Sequence, residues 1–141
     1  MYFMAKKKSK ELNPAQVVIP GNHPNQPLPH EVDVAMILSC YYQTTVVFLI
    51  PVDDYKRKSA DIIMHGVEWE IKCPRGDSRS TISNTLRWAT KQSGNIIIDT
   101  RHTKLEYDDI EKKVQFEVGR KASIKKAILI NKLGIVVEIQ V

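Results

Sequence analysis

The chain has 141 residues, the size of one domain, and 43% of them are hydrophobic against 26% charged, as in globular proteins. No apolar run approaches the ~20 residues that a membrane span requires, and the short apolar start, which lysines follow rather than precede, predicts no standard export signal. A net charge of +5 favours polyanionic partners, and Cys40 and Cys73 have neither metal-type nor disulfide-type spacing.

Residues 1–29 differ in composition from the rest. Lysines stand at Lys6, Lys7, Lys8 and Lys10, and prolines at Pro14, Pro20, Pro24, Pro27 and Pro29 interrupt any helix. This composition predicts an extended basic arm, followed by one folded domain at residues 30–141. Two interpretations stay open: an arm that adds salt-dependent, unspecific affinity for nucleic acid, or a disordered tail.

The pattern of the following residues predicts alternating helices and strands. We predict an amphipathic helix of about 12 residues from His30, strands at 46–50, 60–64 and 67–72, a helix at about 80–92 and a strand at 96–98 ending at Asp99. A helix at about 108–118, a short helix at 122–126 and a hairpin at 128–139 with its turn at 131–134 complete the chain. The expected fold is therefore α/β, a mixed β-sheet flanked by helices in the order α-β-β-β-α-β with further elements at the end.

A hairpin at His65-Gly66 would bring three polar side chains together. With these residues as the turn, Asp61 pairs with Glu70, and such pairs hold their Cβ atoms about 4.5–5.5 Å apart. Because side chains alternate along a strand, Lys72 shares that face, about 6.6 Å further on. Two opposed carboxylates repel each other, and a hard divalent cation such as Mg²⁺ or Mn²⁺ would offset that cost.

This cluster has two interpretations on spacing alone. In a metal site, Lys72 would steady an attacking water or the charge that grows on a phosphorane. In an ordinary half-exposed strand, Lys72 would form salt bridges with the two acids.

A longer set of residues resembles a known nuclease family. Asp61 followed by Glu70-Ile71-Lys72 is similar to the PD-(D/E)XK signature, in which an acid from one strand meets E-x-K on the next. The resemblance extends, over roughly Pro29 to Val141, to the C-terminal tRNase domain of CdiA-type contact-dependent inhibition toxins and related polymorphic-toxin nucleases. It is carried by Lys58-Ser59-Ala60-Asp61, Gly66, Trp69-Glu70-Ile71-Lys72, Pro74, Gly76, Thr81-Ile82, Gln92-Ser93, Asn95 and Ile98-Asp99.

The resemblance implies a restriction-endonuclease-like core that hydrolyses phosphodiesters, with Mg²⁺ (or Mn²⁺) held by Asp61 and Glu70 and with Lys72 as a third catalytic residue. It also implies a catalytic glutamate on the first helix, and Glu31 stands at that place. The same residue would serve equally well as a first-turn acid that complements the helix dipole.

The resemblance further implies the substrate and the partners. RNA, and tRNA in particular, is the first substrate that we expect, and a DNA endonuclease of the same fold is the alternative within enzymes. A nucleic-acid-binding module without catalysis is a third interpretation, against which the intact acid-acid-lysine set argues. An immunity protein, delivery within a secreted toxin and action in the cytoplasm also follow from the resemblance.

Polar residues after Lys72 are candidates for contacts with the nucleic acid: Arg75, Arg79, Thr81, Asn84, Arg87, Lys91 and Gln92. A solvated helix face would explain any single one of them, except Gln92, which the resemblance places near the metal site. Trp88 has two interpretations: a residue that stacks on a base, or a core or partner-facing tryptophan.

Overall fold

The structure, a computed structural model, describes residues 16–23, 27–51 and 60–140. The strands in this part of the chain are β1 (Gln16–Val18), β2 (Thr45–Phe48), β3 (Ile62–Met64), β4 (Val67–Lys72), β5 (Asn95–Asp99), β6 (Lys126–Ile130) and β7 (Val136–Ile139). The helices are α1 (Pro29–Tyr42), α2 (Thr81–Ala89) and α3 (Tyr107–Arg120). None of these three helices is long and apolar enough to cross a membrane.

The seven strands form one sheet in which they lie in chain order. The pairs β1–β2, β4–β5 and β5–β6 are parallel, whereas β2–β3, β3–β4 and β6–β7 are antiparallel. One helix stands in the chain between the two strands of each parallel pair, as a parallel connection requires. The predicted α/β class, the mixed sheet with flanking helices and the element order are confirmed.

Apolar side chains cover both faces of the sheet and form two cores. Leu38 of α1 packs with Trp69 and Ile71 of β4 on one face, whereas Leu86 of α2 packs with Ile98 of β5 and with α3 on the other. Strands β5 and β6 are paired on both sides and buried on both faces, so their sequences are nearly continuous apolar runs. Strand β4 is not a continuous apolar run, because it carries the charged residue Glu70 on the face that α2 covers. Glu70 lies in register with Ile96 of β5.

Helix α1 begins and ends with residues suited to those positions. Pro29 occupies the first turn, where its missing N–H has no partner to lose, and the Glu31 Oε1 accepts the Leu28 N–H at 3.0 Å. Gln43 ends the helix in the left-handed conformation with φ 52°. The Tyr42 hydroxyl then donates to Glu138 Oε2 at 2.6 Å, which ties the helix to β7.

The structure corrects some of the predicted boundaries. The short helix at 122–126 is wrong, because the Lys125 N–H donates to the Gly94 carbonyl at 2.7 Å and Lys126 already begins β6. The strands predicted at 46–50 and 60–64 are shorter, ending at Phe48 and beginning at Ile62.

The arm predicted at residues 1–29 is described only in part. Gln16–Val18 is extended and pairs with β2 at the edge of the sheet. The basic cluster of Lys6, Lys7, Lys8 and Lys10 lies outside the described residues, as do Lys58 and Ser59.

The His65-Gly66 turn provides a test of the hairpin. Both residues have positive φ, 53° and 74°, as the tight turn requires. Gly66→Ala should lower the free energy of unfolding by about 1–2 kcal/mol, because a left-handed backbone is unfavourable for alanine. No described atom lies within 4 Å of the added Cβ, so strain of the backbone is the only cost.

Gly119→Ala in α3 is the matched control, since its Cβ also meets no described atom within 4 Å. It lacks a positive φ and should raise stability by about 0.5 kcal/mol through helix propensity. Denaturant titration of both variants measures the difference, and equal stability of the two would contradict the tight turn.

Candidate active site

Asp61 lies immediately before β3 and is held by backbone groups of β4. Its N–H donates to the Trp69 carbonyl at 2.9 Å, and its Oδ2 accepts the Ile71 N–H at 2.8 Å. The predicted register is confirmed, with Ile62 opposite Trp69 and Met64 opposite Val67. The Asp61 carboxylate therefore takes the place of a backbone acceptor at the end of the strand pairing, and this fixes its position beside Glu70.

Glu70 is buried, with 5% of its surface exposed. Its Oε2 lies 3.3 Å from the Lys72 Nζ, whereas its buried Oε1 has no hydrogen-bond donor among the described residues. Buried polar atoms in proteins nearly always have a partner, so an orphaned carboxylate oxygen calls for an explanation. Lys72 thus provides a partner for one of the two Glu70 carboxylate oxygens and leaves the other without a donor among the described residues.

The two carboxyl groups influence each other's protonation. Burial raises the pKa of Glu70 to about 8, the negative charge of Asp61 adds to this effect, and Lys72 only partly opposes it. Burial also raises the pKa of Asp61, although the Ile71 N–H and the proton on Glu70 counteract the shift. At neutral pH and without a cation, the pair therefore holds a proton, which Glu70 donates to Asp61.

A cavity of about 400 Å³ opens over this pair. Besides Asp61 and Glu70, its described lining includes Glu31 from the first turn of α1 and Gln92 from the end of α2. Four of the predicted site residues are thus brought together from three separate parts of the chain. The Glu31 Oε1 accepts a hydrogen bond from the start of its own helix, so Glu31 caps the helix and lines the cavity at once.

The predicted nucleic-acid-binding residues lie on the segment that follows β4. Arg75 and Arg79 are exposed in the loop before α2, and Asn84, Arg87 and Lys91 are exposed on or just after α2. Thr81 differs from them, because its Oγ1 accepts the Ser78 N–H at 3.0 Å and thereby supports the start of the helix. Trp88 is exposed too, which excludes the interpretation of a core tryptophan.

A second polar cluster at the end of β5 was not predicted. Asp99 is fully buried and receives two side-chain hydrogen bonds from Arg101, both 2.9 Å, and Arg101 also binds Asp33 of α1 at 2.7 Å. Burial raises the pKa of Asp99, but the hydrogen bonds from Arg101 outweigh it and hold the pKa below its usual value. An arginine two residues after an acid that ends a buried strand is the signal in the sequence.

Cys73 and His102 complete that cluster, since their ligand atoms and those of Asp99 lie within 4.8 Å of one another. Two facts oppose a metal there. Arg101 already neutralises Asp99 through both oxygens, and burial raises the pKa of the Cys73 thiol to about 11, so the thiolate that binds metals is scarce. The cluster therefore serves as an ion pair that joins β5 to α1. The carboxylate oxygen without a donor among the described residues belongs instead to Glu70.

Comparison with known proteins gives a family and a fold. Residues 58–136 match the family described as contact-dependent growth inhibition CdiA C-terminal domain. A chain of a CdiA-CT/CdiI toxin and immunity complex from Burkholderia pseudomallei is similar in structure, with a TM-score of 0.60 and 19% identity over 87% of this chain and 98% of that chain. At this identity the likeness shows the fold alone. No curated protein matches the sequence significantly.

The raised pKa of Glu70 predicts how stability depends on pH in the presence of EDTA. The unfolded chain loses this proton near pH 4.5, whereas the folded protein keeps it up to about pH 8. Between these values the folded state binds more protons, so the free energy of unfolding should fall as pH rises from about 5 to 8. Glu70→Gln should flatten that slope.

Glu68→Gln, an exposed position on the same strand, makes the same change of charge and should leave the slope in place. Denaturant titrations across this pH range measure all three proteins. A slope that survives in Glu70→Gln would show that the carboxyl pair holds no shared proton.

Proposed function

The chain belongs to the CdiA C-terminal domain family of contact-dependent growth inhibition, and on this premise we propose that it is a toxin domain that acts as a metal-dependent nuclease of the PD-(D/E)XK type. The observation that carries the proposal is the buried Glu70 carboxylate, which lies against Asp61 and has one oxygen without a donor among the described residues. Lys72 lies at the same place, 3.3 Å from the other oxygen.

Asp61 and Glu70 fit a hard divalent cation, Mg²⁺ or Mn²⁺. Carboxylate oxygens are the ligands that such ions prefer, and Mg²⁺ is held by one or two carboxylates together with oxygens of water and substrate phosphate. A cation would relieve the same repulsion that otherwise retains a proton on the pair. When bound, the ion would supply charge neutralisation at the scissile phosphate and activation of a water.

The side chains around the pair have separate roles in this proposal. Lys72 places its ammonium, on a side chain that is 32% exposed, where it stabilises the negative charge that develops on the phosphate. Asp61 is held by the Ile71 N–H and therefore cannot turn away from Glu70. Glu31 and Gln92 close the cavity from the side of α1 and α2, where Glu31 orients the attacking water and Gln92 binds a phosphate oxygen.

RNA is the substrate that we propose, tRNA before other RNA, with DNA as the alternative. The support is the resemblance of the motif residues and the net charge of +5. Arg75, Arg79, Arg87 and Lys91 are exposed on the segment that leads away from Lys72, where they would contact phosphates of the strand.

The family supports a proposal about the biological setting. The similar chain from Burkholderia pseudomallei forms a complex of toxin and immunity protein. We propose that this domain is likewise neutralised by an immunity protein, that it is delivered as part of a secreted toxin, and that it acts in the cytoplasm.

Incubation of the protein with total RNA and with plasmid DNA, in Mg²⁺, in Mn²⁺ and in EDTA, tests the proposed function. We expect RNA cleavage that requires the metal. Glu70→Ala and Lys72→Ala should each slow cleavage by a factor on the order of 100–1,000 or more, because each removes a group that acts on the developing charge. Glu68→Ala, at an exposed position of the same strand, should cleave at the parent rate.

Melting curves of the variants confirm that they are folded. Cleavage at the parent rate by both Glu70→Ala and Lys72→Ala would remove these residues from the reaction. If neither polymer is cut with either metal, the nuclease proposal itself is wrong.

A further inference from the structure

Trp88 presents its ring to solvent on the surface of α2, with 54% of the residue exposed. The Lys91 Nζ lies 4.0 Å from the ring centroid, and the Arg87 guanidinium lies 5.8 Å from it. Both cations are within the distance at which they are attracted to an aromatic face. A large apolar ring thus lies at the surface with two positive charges close to it.

A surface cavity of about 270 Å³ connects this ring to the catalytic lysine. Its described lining is Lys72, Cys73, Pro74, Asn84, Thr85 and Trp88. None of these six residues is acidic, and Lys72 is the group that lies 3.3 Å from Glu70. The cavity therefore begins beside the proposed reaction centre and ends at an exposed aromatic ring.

We propose that this cavity is a subsite for one unpaired nucleobase, which stacks on Trp88 next to the phosphate that is cleaved. The inference rests on the proposed nuclease function and deepens it, because it names the substrate as a strand with unpaired bases. A base in a duplex has both of its faces covered by neighbours, so only an unpaired base can stack on a protein ring.

The chemistry of the lining suits a base. Typical ligand pockets have volumes of roughly 300–1,000 Å³, and this smaller cavity suits one ring system rather than a larger ligand. The exposed Asn84 amide offers both a donor and an acceptor to the edge of the base. Lys91 and Arg87, both beside the ring, would bind phosphates of the stacked nucleotide and its neighbours.

An exposed ring with two nearby cations does not by itself mark a base-binding site, because Phe116 on α3 has the same features. It is 58% exposed, and the Lys113 Nζ and the Arg120 guanidinium lie 5.3 and 5.6 Å from its centroid. Phe116 does not line the cavity that reaches Lys72. The cavity distinguishes Trp88, and Phe116 is therefore the matched control.

Binding measured in a Glu70→Gln background, which blocks cleavage, tests the subsite. The probes are a labelled single-stranded RNA, the DNA of the same sequence, the corresponding duplexes, and an abasic DNA oligomer of equal length. Trp88→Ala should weaken binding of the single strands by about 5- to 150-fold, the range for loss of one stacked base. Binding of the duplexes and the abasic oligomer should change little, and Trp88→Phe should restore part of the affinity.

Phe116→Ala should bind every probe like the Glu70→Gln protein, and melting curves exclude unfolding of Trp88→Ala. Equal affinity of Trp88→Ala and its parent for the single strands would overturn the subsite, while metal-dependent cleavage by the native protein would leave the nuclease function standing. Equal weakening on single strands, duplexes and the abasic oligomer would also overturn it, since the loss would then be independent of the base. A native protein that neither binds nor cuts nucleic acid would overturn both proposals.

Discussion

The contact between the carboxyl groups of Asp61 and Glu70 is the constraint on which the rest of the site depends, because the surrounding structure must hold two acids together. Both groups are desolvated, so their mutual repulsion is stronger than it would be in water. The two acids stay together because the backbone fixes the positions of both. The His65-Gly66 turn fixes the register, and the Ile71 N–H holds Asp61 in place. Strand β4, which carries Glu70, is the middle strand of the sheet and is paired on both sides.

A second buried acid in the same protein shows the other way to accommodate such a charge. Asp99 ends β5, the strand beside β4, and Arg101 neutralises it with two side-chain hydrogen bonds. Arg101 also forms an ion pair with Asp33 of α1. Among the described cations, Glu70 is paired with Lys72 alone, through one oxygen. Asp99 is thus neutralised through both oxygens by a side chain of the protein, where an ion pair joins a strand to a helix. Among the described residues, Glu70 has such a partner on one oxygen and none on the other, which lies where the cavity opens. That difference is what a binding site for an external cation requires, and the proposed activity follows from it.

The sequence predicted the parts of the fold that depend on local patterns. Alternation along β4 and the His-Gly turn were sufficient to place Asp61, Glu70 and Lys72 together, because neighbours in a hairpin are set by counting residues. β1 was not predicted as a strand, since its three residues stand in a proline-rich segment and depend on Ser39 of α1. The Ser39 hydroxyl accepts the Gln16 N–H at 2.7 Å and donates to the Thr44 carbonyl at 2.6 Å.

Contacts between distant parts of the chain account for the other differences. The helix predicted at 122–126 does not form, because backbone N–H groups of this segment donate to the carbonyl of Gly94, which is distant in the sequence. The resemblance alone predicted Gln92 near Asp61 and Glu70. The cavity that all three residues line is formed only by the packing of α2 on the sheet, which no local sequence pattern predicts. The same holds for the cavity between Trp88 and Lys72, whose residues come from the end of β4, the loop after it and α2, and share no sequence pattern.

The central claim is that a divalent cation takes the place of the proton held by Asp61 and Glu70. Calorimetric titration of Mn²⁺ or Mg²⁺ at pH 7, in two buffers of different ionisation enthalpy, counts the protons released when the ion binds. Because the pKa of Glu70 is about 8, binding should release nearly one proton per ion in the native protein and none in Glu70→Gln. Binding without proton release, or the absence of any binding heat at millimolar metal in both buffers, would contradict the account.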